Sequence, residues 1–312
     1  MATDTAKPLK SCLYRNPDPI TDMKKTLLTL ALLGAGGPCY CWGFFAHRSI
    51  NYHAVFLLPP DMIGFYKRNI AWLTDHAVDP DKRRYAVAEE APRHYLDLDR
   101  YGIAPWPDLP HDWEAAVAAY SRDTLLRHGI APWWLPRMVS RLTEAFRAHD
   151  APRILKLSAE IGHYVGDIHV PLHASRNHNG QLTGQEGIHG FWESRLPELF
   201  AERDYDFLLG HASYLPSVSD WAWQRIMESG RAADTVLRVE RELAARTRNG
   251  RRFAFEERNG KWIRQYAESY SADYQDRLSG MVERRMRLSI LGAASCWYTA
   301  WVNAGQPELP QN

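Results

Sequence analysis

Beyond residue 42, apolar positions recur every three to four residues along most of the chain, which is the period of an amphipathic helix. The pattern predicts helices over residues 44–57, 61–76, 113–127, 137–149, 152–169, 190–201, 217–246, 260–280 and 282–303. The Pro59–Pro60 pair, Pro152 and Pro171 mark boundaries, because proline has no N–H to donate and disfavours helix in the residue before it. Over 152–169 the apolar stripe is Leu157, Ile161, Val165 and Ile168. Strand alternation is rare, and residues 251–255 are the only weak candidate. Two stretches read as long ordered loops: the Pro- and Trp-rich run from Tyr101 to His111, and the Gly-, Asn- and Gln-bearing run from Ala174 to Ile188. With no internal repeat, the expected fold is all-α, a single compact multi-helix domain over residues 42–312.

The first 41 residues follow another pattern. Residues 1–22 lack apolar periodicity and contain Pro8, Pro17 and Pro19. Met23 then opens a secretory signal: Lys24 and Lys25 form the charged region, and Leu27 to Leu33 the short apolar one. Gly34, Gly36 and Gly37 break that run. Cys39 and Cys41 put small side chains at the −3 and −1 positions of a cut before Trp42. The apolar run is far short of the roughly 20 residues that span a bilayer. A lipoprotein signal fits less well, because Pro38 and Tyr40 stand where a small residue should precede the cysteine. Met23 reads as the natural start, with 1–22 a non-native extension and 23–41 the signal peptide. The mature chain is therefore expected to be secreted or periplasmic, without a transmembrane segment. Cys12, Cys39 and Cys41 leave with the leader, so Cys296 is left without an intramolecular partner.

Composition changes this picture little. The 312 residues are 45% apolar and 24% charged, with net charge +1, which argues against a strongly basic DNA-coating surface. The unusual numbers are 13 His and 12 Trp. The densest chemical signal is His163-Tyr-Val-Gly-Asp167-Ile-His169-Val-Pro171-Leu-His173. His163 and Asp167 are four apart on a helix and lie one above the other, off the apolar stripe. Pro171 ends the helix and lets His173 swing in. His189 and Glu193 repeat the four-residue spacing downstream. One such pair is commonly a surface or capping interaction; two pairs plus His173 point to a metal, and zinc favours such donors. His169 faces elsewhere and reads as supporting or structural. His53, His76, His111, His128, His149, His178 and His211 lack comparable partners.

These residues resemble the superfamily of zinc-dependent phospholipases C and single-strand-specific zinc nucleases. The resemblance rests on His-x-x-x-Asp-x-x-x-x-x-His, then His-x-x-x-Glu, preceded by an Asp, a His and an N-terminal Trp, and it spans residues 42 to 193. It implies a cleft with three zinc ions. The first ion's implied ligands are Asp79, His94, His163 and Asp167, and the second's are His173, His189 and Glu193. The third's are the amine and carbonyl of Trp42, His47 and the bridging Asp167. Asp79, preferred over Asp81 by its spacing to His94, would also orient or deprotonate the attacking water as the catalytic residue. Lys82 and Phe45 are the implied substrate contacts.

The resemblance thus implies a phosphodiester hydrolase whose substrate is a phospholipid or single-stranded nucleic acid. Glu193 and the short interval from His173 to His189 are phospholipase-like. The tight spacing in Trp42-Gly-Phe-Phe-Ala-His47 is nuclease-like, and nucleases of the family carry an Arg three residues after the first Asp, where Lys82 stands here. The phospholipase C-like reading is preferred and the endonuclease is the alternative. A non-catalytic helical protein stabilised by zinc is a third reading, of a different class. No Ser–His–Asp set, phosphate-cradling glycine loop or nucleotide fingerprint competes, and nothing points to a stable protein partner.

Overall fold

The computed structural model describes Met1, residues 43–258 and residues 260–310. The expected extension over 1–22 (Met1 apart), the expected signal peptide over 23–41 and the expected ligand Trp42 lie outside the described residues. From Gly43 on, helices dominate. The order is α1 (Phe44–Ala54), α2 (Pro60–Arg68), α3 (Ile70–Asp75), α4 (Asp79–Arg83), α5 (Trp113–Tyr120), α6 (Arg122–His128), α7 (Ala131–Arg147) and α8 (Ala151–His169). Then come α9 (Leu196–Asp204), α10 (Val218–Arg246), a hairpin of β1 (Phe253–Arg258) and β2 (Lys261–Tyr266), α11 (Glu268–Arg277) and α12 (Met281–Asn303). They form one compact, all-α unit with a single two-stranded sheet among the described residues. No helix among these residues is long and apolar enough to cross a membrane.

Helix α8 is the axis of the fold. Asp150 caps it by accepting from the Arg153 N–H, and Pro152 occupies its first turn, where no N–H is needed. Every residue from Leu157 to His169 is buried, polar ones included, as α7, α12, α1 and α10 pack around it. The main apolar core joins Ile161 and Val165 to Phe146, Leu142, Ile290 and Trp297. The Trp297 Nε1–H donates to the Ser158 carbonyl at 2.9 Å, tying α12 to α8. A second apolar cluster links Phe191 and Trp192 to Tyr266, Tyr270, Tyr274 and Val236.

Two glycines let α1 approach α8. A Cβ on Gly162 would lie 1.7 Å from the Asn51 Oδ1, and one on Gly166 would lie 3.1 Å from the His47 Nδ1. Their four-residue spacing makes a trough on α8 into which Asn51 and His47 descend. Asn51 is fully buried and donates to the carbonyls of Leu73 and Ala159, both at 3.1 Å.

Several predicted boundaries move. The helix expected over 260–280 is a strand followed by α11, and the weak strand signal at 251–255 is its partner, with Phe255 opposite Arg264 and Glu257 opposite Trp262. Gly260 turns the hairpin at φ +73°, and cross-strand pairing decides what local periodicity left open. The helix expected over 113–127 breaks at Ser121, whose φ is +67°. That over 61–76 divides at Asn69. Helix α7 begins six residues before the expected 137 and carries Pro136 inside it, because burial of Trp133, Trp134, Leu135 and Met138 outweighs the lost hydrogen bond.

Candidate metal centre

The donors converge from six places. Helix α1 brings His47, α4 brings Asp81 and the tight turn Ala91–His94 brings His94. Helix α8 brings His163 and Asp167, and the turn Pro171–Ala174 that follows it brings His173. The helical turn Ile188–Gly190 runs into a wider π-type turn, Phe191–Arg195, and these carry His189 and Glu193. Three donor sets result, each with ligand atoms within 4.8 Å of one another: His47, His163 and Asp167; Asp81, His94 and His163; His173, His189 and Glu193. All of these side chains are buried.

Hydrogen bonding fixes where three of the imidazoles hold their lone pairs. The Nδ1 atoms of His163, His173 and His189 face the carbonyls of Ala77 at 2.9 Å, His94 at 2.7 Å and His178 at 3.1 Å. A carbonyl only accepts, so each Nδ1 carries the proton and each Nε2 is left as a lone pair directed at the cluster. The Nε2 of His163 lies 3.2 Å from the Asp167 Oδ2 and 3.1 Å from the His94 Nδ1. Those of His173 and His189 lie 3.4 and 3.2 Å from the Glu193 Oε2.

Asp167 is placed to be shared. Its Oδ2 faces His94 at 2.9 Å and His163, while its Oδ1 faces His47 at 3.6 Å and His173 at 3.6 Å. Burial disfavours its charge, but the surrounding imidazoles, with hydrogen bonds to His163 and His94 among them, hold its carboxyl well below the usual range. Burial likewise opposes a charge on His163, and Asp167 and Asp81 outweigh it, raising its pKa to about 9; the carboxylates thus favour positive charge at the Nε2, which a bound cation would supply. Burial pushes Glu193 up and His47 well down, His163 adding to the second effect. The His47 ring stacks on the His163 ring, with centroids 3.8 Å apart.

The cluster is also short of partners. Both nitrogens of His47, both oxygens of Asp81 and of Glu193, the Asp167 Oδ1 and the Nε2 atoms of His94, His173 and His189 are buried without a hydrogen bond. Buried polar groups are nearly always satisfied, so such a concentration in one place fits a cationic group. Imidazole and carboxylate without thiolate is a donor set that suits zinc.

The expectation for Asp79 is corrected. Asp79 turns to the surface, 37% exposed, and pairs with His76 at 2.8 Å and Lys82 at 3.2 Å. Asp81 points inward instead, 5% exposed, with its Oδ1 3.8 Å from both the His94 Nδ1 and the His163 Nε2. On a helix, side chains two apart face nearly opposite directions, so α4 can offer only one of the two. Lys82 is held by Asp79, away from the donors, and three residues after Asp81 stands Arg84, its Nη1 3.8 Å from the Asp81 Oδ1. Phe45 lines a groove of about 820 Å³ with Phe44, Arg48, Tyr52, Tyr205 and Phe207; none of the clustered donors lines it. His169 stays outside the donor sets, donating from Nδ1 to the Val165 carbonyl at 2.7 Å. Trp42 lies outside the described residues, but the N–H of its neighbour Gly43 donates to the Glu193 carbonyl at 3.4 Å.

Two supports escaped sequence reasoning. His178, which looked ordinary, orients His189 through its backbone carbonyl, and no sequence signal marks a carbonyl. Glu90, fully buried, binds Arg83 at 2.8 Å, Arg93 at 2.6 Å and the Tyr164 hydroxyl, and its Oε1 lies 3.8 Å from the His94 Nε2. Its signal was the four-residue spacing to His94.

No family model and no curated protein matches the chain. Among solved structures it is similar to the alpha toxin from Clostridium absonum, with a TM-score of 0.45 and 12% identity, over 80% of this chain and 62% of that one. The chain thus spans less than two thirds of the length of that protein.

Proposed function

We propose that the chain from Trp42 onward is an exported zinc-dependent phosphodiesterase of the phospholipase C kind. The observation that carries the proposal is the overlap of the donor sets: His163 belongs to two of them, and Asp167 presents one oxygen to each side. Overlapping sets built from carboxylates and imidazoles differ from the closed, thiolate-rich, mononuclear arrangement of structural zinc, which disfavours the non-catalytic alternative. Asp81, His94, His163 and Asp167 would hold one ion, and His173, His189 and Glu193 a second. His47, Asp167 and the freed amine of Trp42 would hold a third.

When bound, the zinc ions supply positive charge against the phosphate oxygens and bring the pKa of a water toward neutrality. The chain's own work is to hold and orient. Asp81 has two oxygens without hydrogen-bond partners, so one is available to a metal and the other to the proton of the attacking water. The carbonyls of Ala77, His94 and His178 keep three lone pairs aimed inward, so little reorganisation is needed when charge develops.

The test is elemental analysis of the mature protein followed by turnover on phosphatidylcholine, single-stranded DNA and a small artificial phosphodiester. The expected result is several zinc ions per chain and cleavage lost on chelation and restored by zinc. One tightly held zinc with no cleavage of any diester would overturn the proposal. Arg84 favours a second reading: with Asp81 as the first ligand, the nuclease pattern of an Arg three residues later is met. DNA cleaved in preference to phosphatidylcholine would select it.

A further inference from the structure

The hairpin of β1 and β2 presents two large aromatic side chains with little cover, Trp262 at 70% and Phe255 at 68% exposed. Alternate residues of a strand share a face, so the register puts Phe253, Phe255 and Glu257 of β1 on the same side as Trp262, Arg264 and the buried Tyr266 of β2. The other side is fastened to the protein. There Glu256 is bound by Arg195 at 2.9 Å, and Arg258 binds Glu198 at 2.7 Å. The hairpin is thus anchored by one face and by its base, where Phe253 and Tyr266 pack against the core, while nearer the turn Phe255 and Trp262 are left outward.

Charge gathers at the same place. Between positions 248 and 264 there are six basic residues and two acidic ones, in a chain whose 38 basic and 37 acidic residues nearly balance. Arg252 is engaged by Glu240 and Arg258 by Glu198, while Glu256 is engaged by Arg195. Arg248, Arg251, Lys261 and Arg264 remain exposed, against Glu257. Arg264 lies 3.5 Å over the Phe253 ring, keeping its charge beside the aromatic face.

We propose that this hairpin docks the protein on an anionic phospholipid surface. Trp262 and Phe255 enter the interfacial zone, where an aromatic ring finds apolar contact without leaving the head groups; Arg264 on the same face, Lys261 beside the turn and Arg248 and Arg251 just before β1 supply positive charge toward the lipid. A single nucleic-acid strand fits less well. It needs ring faces in a groove that tracks its phosphates, whereas here Glu257 stands across from Trp262 and two residues along from Phe255. This partner rests on the phospholipid reading of the metal centre and adds a place for the surface to bind. The mount is short: Arg195, two residues after Glu193, donates from Nε to the Tyr266 carbonyl at 3.2 Å, and Phe191 stacks on the Tyr266 ring at 3.7 Å. A docked hairpin therefore orients the segment that carries His189 and Glu193.

The experiment is stopped-flow tryptophan fluorescence of the full zinc-loaded protein mixed with vesicles carrying brominated acyl chains. Phosphatidylcholine is compared with phosphatidylcholine containing phosphatidylserine, and mixing is followed faster than turnover. Quenching is expected with the anionic vesicles and should weaken with salt. The double variant Trp262→Ala/Phe255→Ala should lose about tenfold or more in partitioning, since two large apolar groups no longer leave water. Lys261→Glu/Arg264→Glu should lose the preference for anionic lipid, on the order of fivefold for each cation removed. Both variants should cleave a soluble artificial phosphodiester like the parent. Partitioning that ignores all four substitutions would overturn the docking assignment. So would an aromatic variant that binds vesicles normally but loses affinity for a single-stranded oligonucleotide. Hairpin-dependent vesicle binding without any diester cleavage would keep the docking and remove the phosphodiesterase; cleavage with unchanged vesicle binding would do the reverse.

Discussion

Gly162→Ala tests whether the contact between α1 and α8 holds the site together. The added Cβ would sit 1.7 Å from the Asn51 Oδ1, well inside contact distance. Either Asn51 turns or α1 retreats. Turning Asn51 breaks its bonds to the Leu73 and Ala159 carbonyls, worth about 1 kcal/mol each net, and more where a carbonyl is left buried and unsatisfied. Retreat of α1 spreads an overpacking strain of about 1–3 kcal/mol and draws His47 away from Asp167. Alanine's better helix propensity returns only about 1 kcal/mol. The balance is a loss of about 2–4 kcal/mol, read as a lower urea midpoint at unchanged slope. Zinc content should fall with it, because His47 rides on α1. Gly166→Ala, whose Cβ would meet the His47 Nδ1 at 3.1 Å, should cost less stability. Asn51→Ala combined with Gly162→Ala should fall short of the sum of the two single losses by about 1 kcal/mol or more, since truncating Asn51 removes the atom that the new Cβ meets. A Gly162→Ala protein as stable as the parent, or additive losses in the pair, would refute this account of the trough.

Asp81→Asn and Asp79→Asn separate the inward aspartate from the outward one. Asp81→Asn should lose bound zinc and cut turnover on the order of a hundredfold or more, in the range seen when groups around a metal are disturbed. Asp79→Asn should stay within about twofold, because it removes only a half-exposed surface pair; the opposite ranking would return the role to Asp79. Processing supplies a separate check, since a free amine with its carbonyl can chelate zinc but an amide nitrogen, its lone pair delocalised, donates poorly. Protein beginning at Gly36 should therefore carry less zinc and turn over more slowly than protein beginning at Trp42. Equal zinc and equal rates would exclude the Trp42 amine as a ligand.

The helical architecture was legible because periodicity reports burial of one face, and most elements here bury one face. It faltered where both faces or none were informative. Lys261 to Tyr266 has no decisive helical stripe and becomes a strand only because Phe253 to Arg258 is there to pair with it. In the candidate site, the pairs His163 with Asp167 and His189 with Glu193 were readable because both members share one element. Asp79 was preferred to Asp81 because spacing to His94 through an irregular stretch carries no direction. The direction comes from α4, which turns Asp79 out and Asp81 in. The His178 carbonyl was beyond reach, and the spacing of Glu90 to His94 gave no sign of its contacts with Arg83 and Tyr164, which exist only once distant segments meet.

The way the imidazoles are held bears on how the site can vary. His163, His173 and His189 are each oriented by a main-chain carbonyl, so no single side-chain substitution can release the proton-bearing side of the ring. The His94 carbonyl that fixes His173 belongs to a residue whose own ring lies in another donor set, so the two sets are linked through backbone as well as through the shared Asp167. Such a lock is rigid, but it leaves the donor atoms buried and facing one another. Each unsatisfied buried group costs on the order of 1–3 kcal/mol, and the cluster contains many of them. Metal binding offsets that cost only in the folded chain, because the donors are far apart in sequence and meet nowhere else. The protein should therefore owe much of its stability to its ions, and in a chain whose described residues hold Cys296 as a buried free thiol the metal centre would be its main cross-link.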